Sequence, residues 1–231
     1  MLGARVTGID ERKGTVIYDM QESAGGTPAA QREVRADKVL LSIGRKPQIE
    51  GFGLENTGVT VKRGAILTDL HCLTNIPNIY AVGDVNGKYM LAHAAYREAE
   101  VAVNHMLGKR DIMRYDAVPS VIYTSPEVAC AGETEESAGA KGIGCSSVSL
   151  PMMYSGRFVA ENSATEGICK VVIDKKLRNI IGVHIIGSYA SEIILGACTM
   201  IEMQMRVDDV KEIVFPHPTV GEMIREAVFR L

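Results

Sequence analysis

The sequence predicts an α+β domain in its C-terminal part, preceded by a partial α/β segment, and three observations carry that expectation. Runs of β-branched residues separated by short charged turns, as in "GICKVVIDKKLRNIIGVHIIG", have the pattern of antiparallel hairpins. Helical patterns such as "ASEIILGACTMIEMQM" follow those hairpins instead of alternating with them, which separates α+β from α/β architecture. Nearer the N-terminus, "DKVLLSIG" and "NIYAVGD" are short continuous apolar runs ending at glycine, the pattern of strands buried on both faces.

Taken in order, "ARVTGIDERKGTVIYDM" alternates apolar and polar residues on both sides of Lys13-Gly14 and reads as a β-hairpin. A chain that starts inside a strand suggests that the natural sequence continues upstream; a genuine N-terminal hairpin is the alternative. A Gly/Ala/Ser/Pro-bearing turn, "ESAGGTPAAQ", precedes the two buried-strand patterns. "MLAHAAYREAEVAVNHML" then carries Leu91, Ala95, Ala99, Ala102 and Met106 at three- and four-residue spacing, predicting a mostly buried helix. "GKRDIMRYDAVPS" breaks it and marks a domain boundary near Asp111. Beyond it, "SVIY" and "EVACAG" read as strands, and "TEESAGAKG" as a helix capped by Thr134. The long hairpin turns near Lys176. "ASEIILGACTMIEMQM" and "RVDDVKEIV" follow as helices, and a last one comes after Pro218.

The 231 residues suffice for one large domain or two ordinary ones, and 46% hydrophobic with 23% charged residues is a soluble, packed composition. A net charge of −3 with both signs interspersed offers neither a phosphate-binding face nor a polybasic lipid site, so nucleic acid and membrane surfaces are not expected partners. No apolar run reaches the roughly 20 residues of a membrane span, and no signal-peptide core opens the chain, so a cytoplasmic location is expected. The five cysteines are scattered without a CxxC pair, which fits reduced thiols and gives zinc nothing to bind.

Three constellations could carry chemistry. In "FPHPTVGE", Pro216 and Pro218 restrict the backbone around His217, so its imidazole is aimed before any tertiary contact forms. Glu222 could orient that imidazole as the second member of an acid/base dyad, or could close a capping box with Thr219. Both accounts fit the spacing. In "NIYAVGDV", Asp84 follows an apolar run and Gly83, a place where α/β sheets hold ligand hydroxyls; a simple turn is the other account. In "SIGRKP", Gly44 either allows close backbone approach of a ligand or ends a strand. His71, His93, His105 and His184 carry the ordinary expectation of surface or core residues.

"VLLSIGRKP", "TNIPNIYAVGDV…MLAHAA", "YTSPEVACAGETEESA" and "HPTVGE", in this order, resemble the flavin-dependent pyridine nucleotide-disulfide oxidoreductases, and most of all their dihydrolipoamide dehydrogenase branch. The resemblance covers essentially the whole chain. It implies a C-terminal dimerisation domain preceded by a partial Rossmann-like segment: residues 1–45 as the tail of an NAD-binding domain, 46–111 as a returning piece of an FAD-binding domain, and 112–231 as the interface domain. Asp84 matches the aspartate that holds a ribityl hydroxyl of FAD, and Met90, Leu91, Ala92 and His93 match the segment facing the flavin. Gly44 matches a glycine beside NAD. His217 and Glu222 match a dyad that serves the disulfide of the partner subunit in a homodimer, and the bond entering Pro218 is expected to be cis. Lipoyl-bearing proteins of 2-oxoacid dehydrogenase complexes are the implied partners. The flavin GxGxxG strand and the CxxxxC redox pair are expected upstream, so this chain alone is expected to be inactive. One departure stands out: the branch commonly reads His-Ala-His-Pro-Thr, where this chain has Phe215-Pro216-His217-Pro218-Thr219. A glutathione- or mercuric-reductase-like relative, or a freestanding non-catalytic dimerisation module, are the alternatives.

Overall fold

The computed structural model describes residues 3–20, 31–162 and 166–231, and the chain divides into two compact units, residues 1–45 and 46–231. In the first unit, β1 (Ala4–Asp10) and β2 (Thr15–Met20) form the hairpin expected about Lys13-Gly14, where Gly14 takes a positive φ of 62°. Asp10 stabilises the turn by accepting the amides of Arg12 and Lys13. A third strand, β3 (Arg32–Arg35), pairs antiparallel with β2 and completes a β1-β2-β3 sheet. Its sequence, "REVR", is too short and too charged to announce a strand; only pairing with β2 makes it one. The Gly/Ala/Pro-bearing turn expected from residue 22 onward lies, but for Gln31, outside the described residues.

The first correction concerns "DKVLLSIG". This stretch forms no strand, and Leu40, Leu41 and Ile43 are exposed. An apolar run becomes a buried strand only where another strand offers a ladder and a second layer covers it; among the described residues neither reaches this segment.

In the second unit a short 3-10 segment, Leu54–Asn56, precedes a small hairpin of β4 (Val61–Lys62) and β5 (Ala65–Ile66). "NIYAVGD" is a second correction: Tyr80 makes a single bridge with Leu73, and the chain turns at Gly83 (φ 74°) into a short 3-10 segment, Gly83–Asn86. Helix α1 (Ala92–Met106) lies where the spacing placed it, but Tyr96, Val103 and Met106 are exposed, so it is amphipathic and not mostly buried. Its buried line is Ala94, Glu98, Val101 and Ala102.

The remainder is built on one antiparallel sheet in the order β6-β7-β10-β9-β8: β6 (Ser120–Ile122), β7 (Val128–Gly132), β8 (Cys145–Pro151), β9 (Ile168–Asp174) and β10 (Ile180–Ile186). Helix α2 (Glu135–Ala140) begins at a Thr134 capping box closed by Ser137. A short α3 (Gly156–Glu161) starts at Ser155, whose hydroxyl accepts the Phe158 amide. Helices α4 (Ala190–Glu202), α5 (Val207–Lys211) and α6 (Glu222–Val228) follow β10. Period-two alternation sends Cys169, Val171 and Ile173 of β9 into the same core as Val183 and Ile185 of β10, where α4 and α6 cover them. Each such fully buried aliphatic side chain contributes about 1.5–3 kcal/mol against exposure. The result is a sheet with α4 and α6 on one face, which holds α6 and the turn before it in fixed position, while α2 lies on the other, where Glu135 meets Ser147 and Lys170. Among the described residues no helix is long and apolar enough to cross a membrane.

Candidate active site

The turn before α6 is pinned from below. Val220, Met223 and Ile224 are buried in the core, and the fully buried Ser155 donates its hydroxyl to the Thr219 carbonyl at 3.0 Å. The His217–Pro218 bond is cis, as the resemblance implied. Above this floor, His217 Nδ1 lies 3.1 Å from Glu222 Oε2 and 3.2 Å from Oε1. The same carboxylate accepts the Thr219 amide at 3.1 Å. The two accounts of Glu222 therefore hold together, since one side chain caps the turn and grips the imidazole. The regular helix begins at Glu222 and not at Thr219, whose hydroxyl donates to the Pro216 carbonyl, so only half of a capping box forms.

The pair is asymmetric in exposure: the His217 side chain is 79% accessible and that of Glu222 13%. A carboxylate held by a backbone amide beside Nδ1 places the neutral ring's proton on Nδ1 and leaves the lone pair on Nε2. Among the described residues Nε2 has no hydrogen-bond partner. The imidazole is thus a base pointed outward, set in a cleft of about 480 Å³ lined by Ile213, Val214, Phe215, Lys211 and Arg225. The guanidinium of Arg225 stacks on Phe229, 4.2 Å from the ring centre, and pairs with Glu226.

Asp84, Met90, Leu91, Ala92 and His93 form a second cluster. Asp84 sits exposed in the Gly83–Asn86 turn, which packs on the first turns of α1, with an added Cβ on Gly83 only 3.2 Å from Ala95 Cβ. Met90 and Leu91 are half-buried, and Ala92 and His93 are exposed where α1 begins. No side chain caps that helix start, and its first turn carries no acid, so the positive end of its dipole remains available to a ligand. His93 turns its Nε2 to the Pro119 carbonyl at 2.7 Å. An exposed carboxylate beside an uncapped helix start fits a ligand with hydroxyls and a ring that gains negative charge on reduction, as FAD has. Gly44 belongs to the first unit, has φ 98°, and an added Cβ there would meet open space. Among the described residues no group of three or more His, Cys, Asp or Glu side chains could hold a metal ion.

Sequence reasoning missed Ser155, because its contact with Thr219 spans 64 residues. It also missed Glu98 and Tyr115: the apolar line expected from spacing ran through Ala95 and Ala99, whereas the buried line runs through Ala94 and Glu98, and Ala99 and Met106 are exposed.

Comparison with known proteins gives the family. Residues 1–99 match the family "pyridine nucleotide-disulphide oxidoreductase", and residues 118–228 match that family's dimerisation domain. The chain belongs to the pyridine nucleotide-disulfide oxidoreductase family. It is 37% identical over 228 residues to mitochondrial dihydrolipoyl dehydrogenase 1 of Arabidopsis thaliana, covering 98% of this chain and 44% of that protein. It is also 37% identical over 226 residues to a dihydrolipoyl dehydrogenase of Thermus scotoductus, covering 97% and 48%. Among solved structures, LpdA from Mycobacterium tuberculosis aligns with a TM-score of 0.81 at 25% identity, over 98% of this chain and 48% of that one. The chain thus spans about half the length of the relatives it matches. Members of the family use FAD and NAD.

Proposed function

We propose that this chain is the C-terminal half of a dihydrolipoyl dehydrogenase, in which residues 1–45 end an NAD-binding domain, 46–111 return to an FAD-binding domain, and 112–231 form the homodimer interface. The observation that carries the reading is His217, an exposed imidazole whose Nδ1 is fixed by a carboxylate that is itself fixed by the backbone.

In this reading Nε2 of His217 takes the proton from a thiol of dihydrolipoamide presented by a lipoyl-bearing protein of a 2-oxoacid dehydrogenase complex. The proton arrives on a ring whose far nitrogen already faces Glu222, so the imidazolium forms beside a negative charge. The redox disulfide it serves belongs to the partner subunit, which accounts for an imidazole aimed out of its own chain. Asp84 holds a ribityl hydroxyl, the start of α1 faces the flavin with Met90, Leu91, Ala92 and His93, and Gly44 lies beside NAD. FAD, when bound, supplies the two-electron relay between disulfide and NAD. The 231-residue chain by itself is expected to be inactive, since the CxxxxC pair has no counterpart in it.

The test is reconstitution with an N-terminal half carrying GxGxxG and CxxxxC. Lipoamide-dependent NAD reduction should appear only with both halves and fall about 10²–10⁴-fold with His217→Ala, as loss of a general acid/base requires. Equal activity with His217→Ala, or full activity of this chain alone, would sink the reading.

A further inference from the structure

Glu98 is a charged side chain with no accessible surface, on the apolar line of α1, and among the described residues it faces no cation. Both oxygens of its carboxylate are nevertheless engaged. Oε2 accepts the Gly83 amide at 2.6 Å and the Asn86 side-chain amide at 2.9 Å, while Oε1 accepts the Tyr115 hydroxyl at 2.8 Å. Two of these donors are the first and last residues of the turn that carries Asp84. The third stacks on Tyr89, ring centres 5.4 Å apart and nearly parallel, just ahead of α1. Burial, reinforced by Glu98, raises the Tyr115 phenol above its ordinary value, so it remains a neutral donor. Burial likewise pushes the neighbouring Cys72 thiol up to about 11, with the Glu98 charge adding to the shift.

A buried carboxylate is costly unless its lone pairs are taken by well-placed donors, so its retention on an apolar face calls for a task. Packing alone would be served better by leucine. We infer that Glu98 is a positioning residue: it grips both ends of the Gly83–Asn86 turn and thereby fixes where Asp84 points. The inference rests on the proposed ligand role of Asp84 only for its consequence; the grip on the turn stands by itself.

The test uses the 231-residue chain and amide hydrogen exchange read residue by residue. Glu98→Leu should speed exchange at Gly83 by at least about tenfold while Ala102, further along α1, changes by less than about twofold. Glu98→Gln should restore protection, because a carboxamide oxygen can replace Oε2 and the Tyr115 hydroxyl can turn to accept from the new NH₂ group. Adding Tyr115→Phe to Glu98→Gln should remove part of that rescue, and this pair serves if the leucine variant does not fold. Unchanged exchange at Gly83 in Glu98→Leu, or equal acceleration at Ala102, would overturn the inference, reducing Glu98 to a passive or merely helix-stabilising residue. Failure of the ligand reading would look different: Asp84→Ala would leave FAD binding by the reconstituted halves unchanged, with Gly83 protection still dependent on Glu98.

Discussion

Replacing Glu222 with alanine separates its two tasks by their energies. The bond from the Thr219 amide is made to a charged, largely buried acceptor, but Thr219 is only half-buried and its amide can recover water, which places the loss at about 1 kcal/mol. The contact with His217 involves a ring that is 79% exposed, and such pairs are worth about 0–0.5 kcal/mol. Glu222→Ala should therefore cost about 1–1.5 kcal/mol and His217→Ala no more than about 0.5 kcal/mol, with a coupling between them of at most about 0.5 kcal/mol. Urea unfolding followed by circular dichroism measures this, and only the transition of the unit spanning 46–231 should move. If the two single variants prove equally stable, the carboxylate does not brace the turn and the argument for a prefixed imidazole fails.

Two further outcomes follow from the packing. Gly182→Ala would put a methyl group 1.9 Å from the Glu133 carbonyl, which His184 Nε2 contacts at 3.0 Å. Because backbone and not a flexible side chain must yield, about 3 kcal/mol of destabilisation is expected, and an unchanged urea midpoint would contradict the register of β7 on β10. Asp111 is held at a pKa of about 2, first by its hydrogen bond from Arg97 and then by that from Asn104. Its folded pKa lies below the unfolded one, so its contribution is complete above about pH 4 and is lost as pH falls toward 2. Asp111→Asn should accordingly be less stable than the parent at neutral pH, with the difference closing across that acid window; a pH-independent difference would mean that the Arg97 pair contributes nothing.

Where an element's cause is local, it was legible. The hairpins about Lys13-Gly14 and Lys176, the Thr134 cap and the helices from Ala190 onward each follow from periodicity, turn residues or a capping side chain within a few positions. The proline-braced His217 and its reach to Glu222 belong to the same class, because five residues separate them and the turn is stiff. Local pattern failed for "DKVLLSIG": an apolar run states that burial would be favourable, not that a partner is present. It failed again at "NIYAVGD", where the positive φ of Gly83 turns the chain before a ladder can extend.

By itself, then, the sequence determined which residues could be hairpins, helices, an aimed base and a carboxylate within its reach, since these depend on backbone stiffness and spacing over a few residues. Tertiary structure alone decided that Glu222 serves imidazole and backbone at once, that Ser155 supports their turn from 64 residues away, and that a buried Glu98 gathers Gly83, Asn86 and Tyr115. The physical reason is that burial and hydrogen-bond satisfaction are properties of an enclosed volume, and such a volume exists only after distant segments have closed around it.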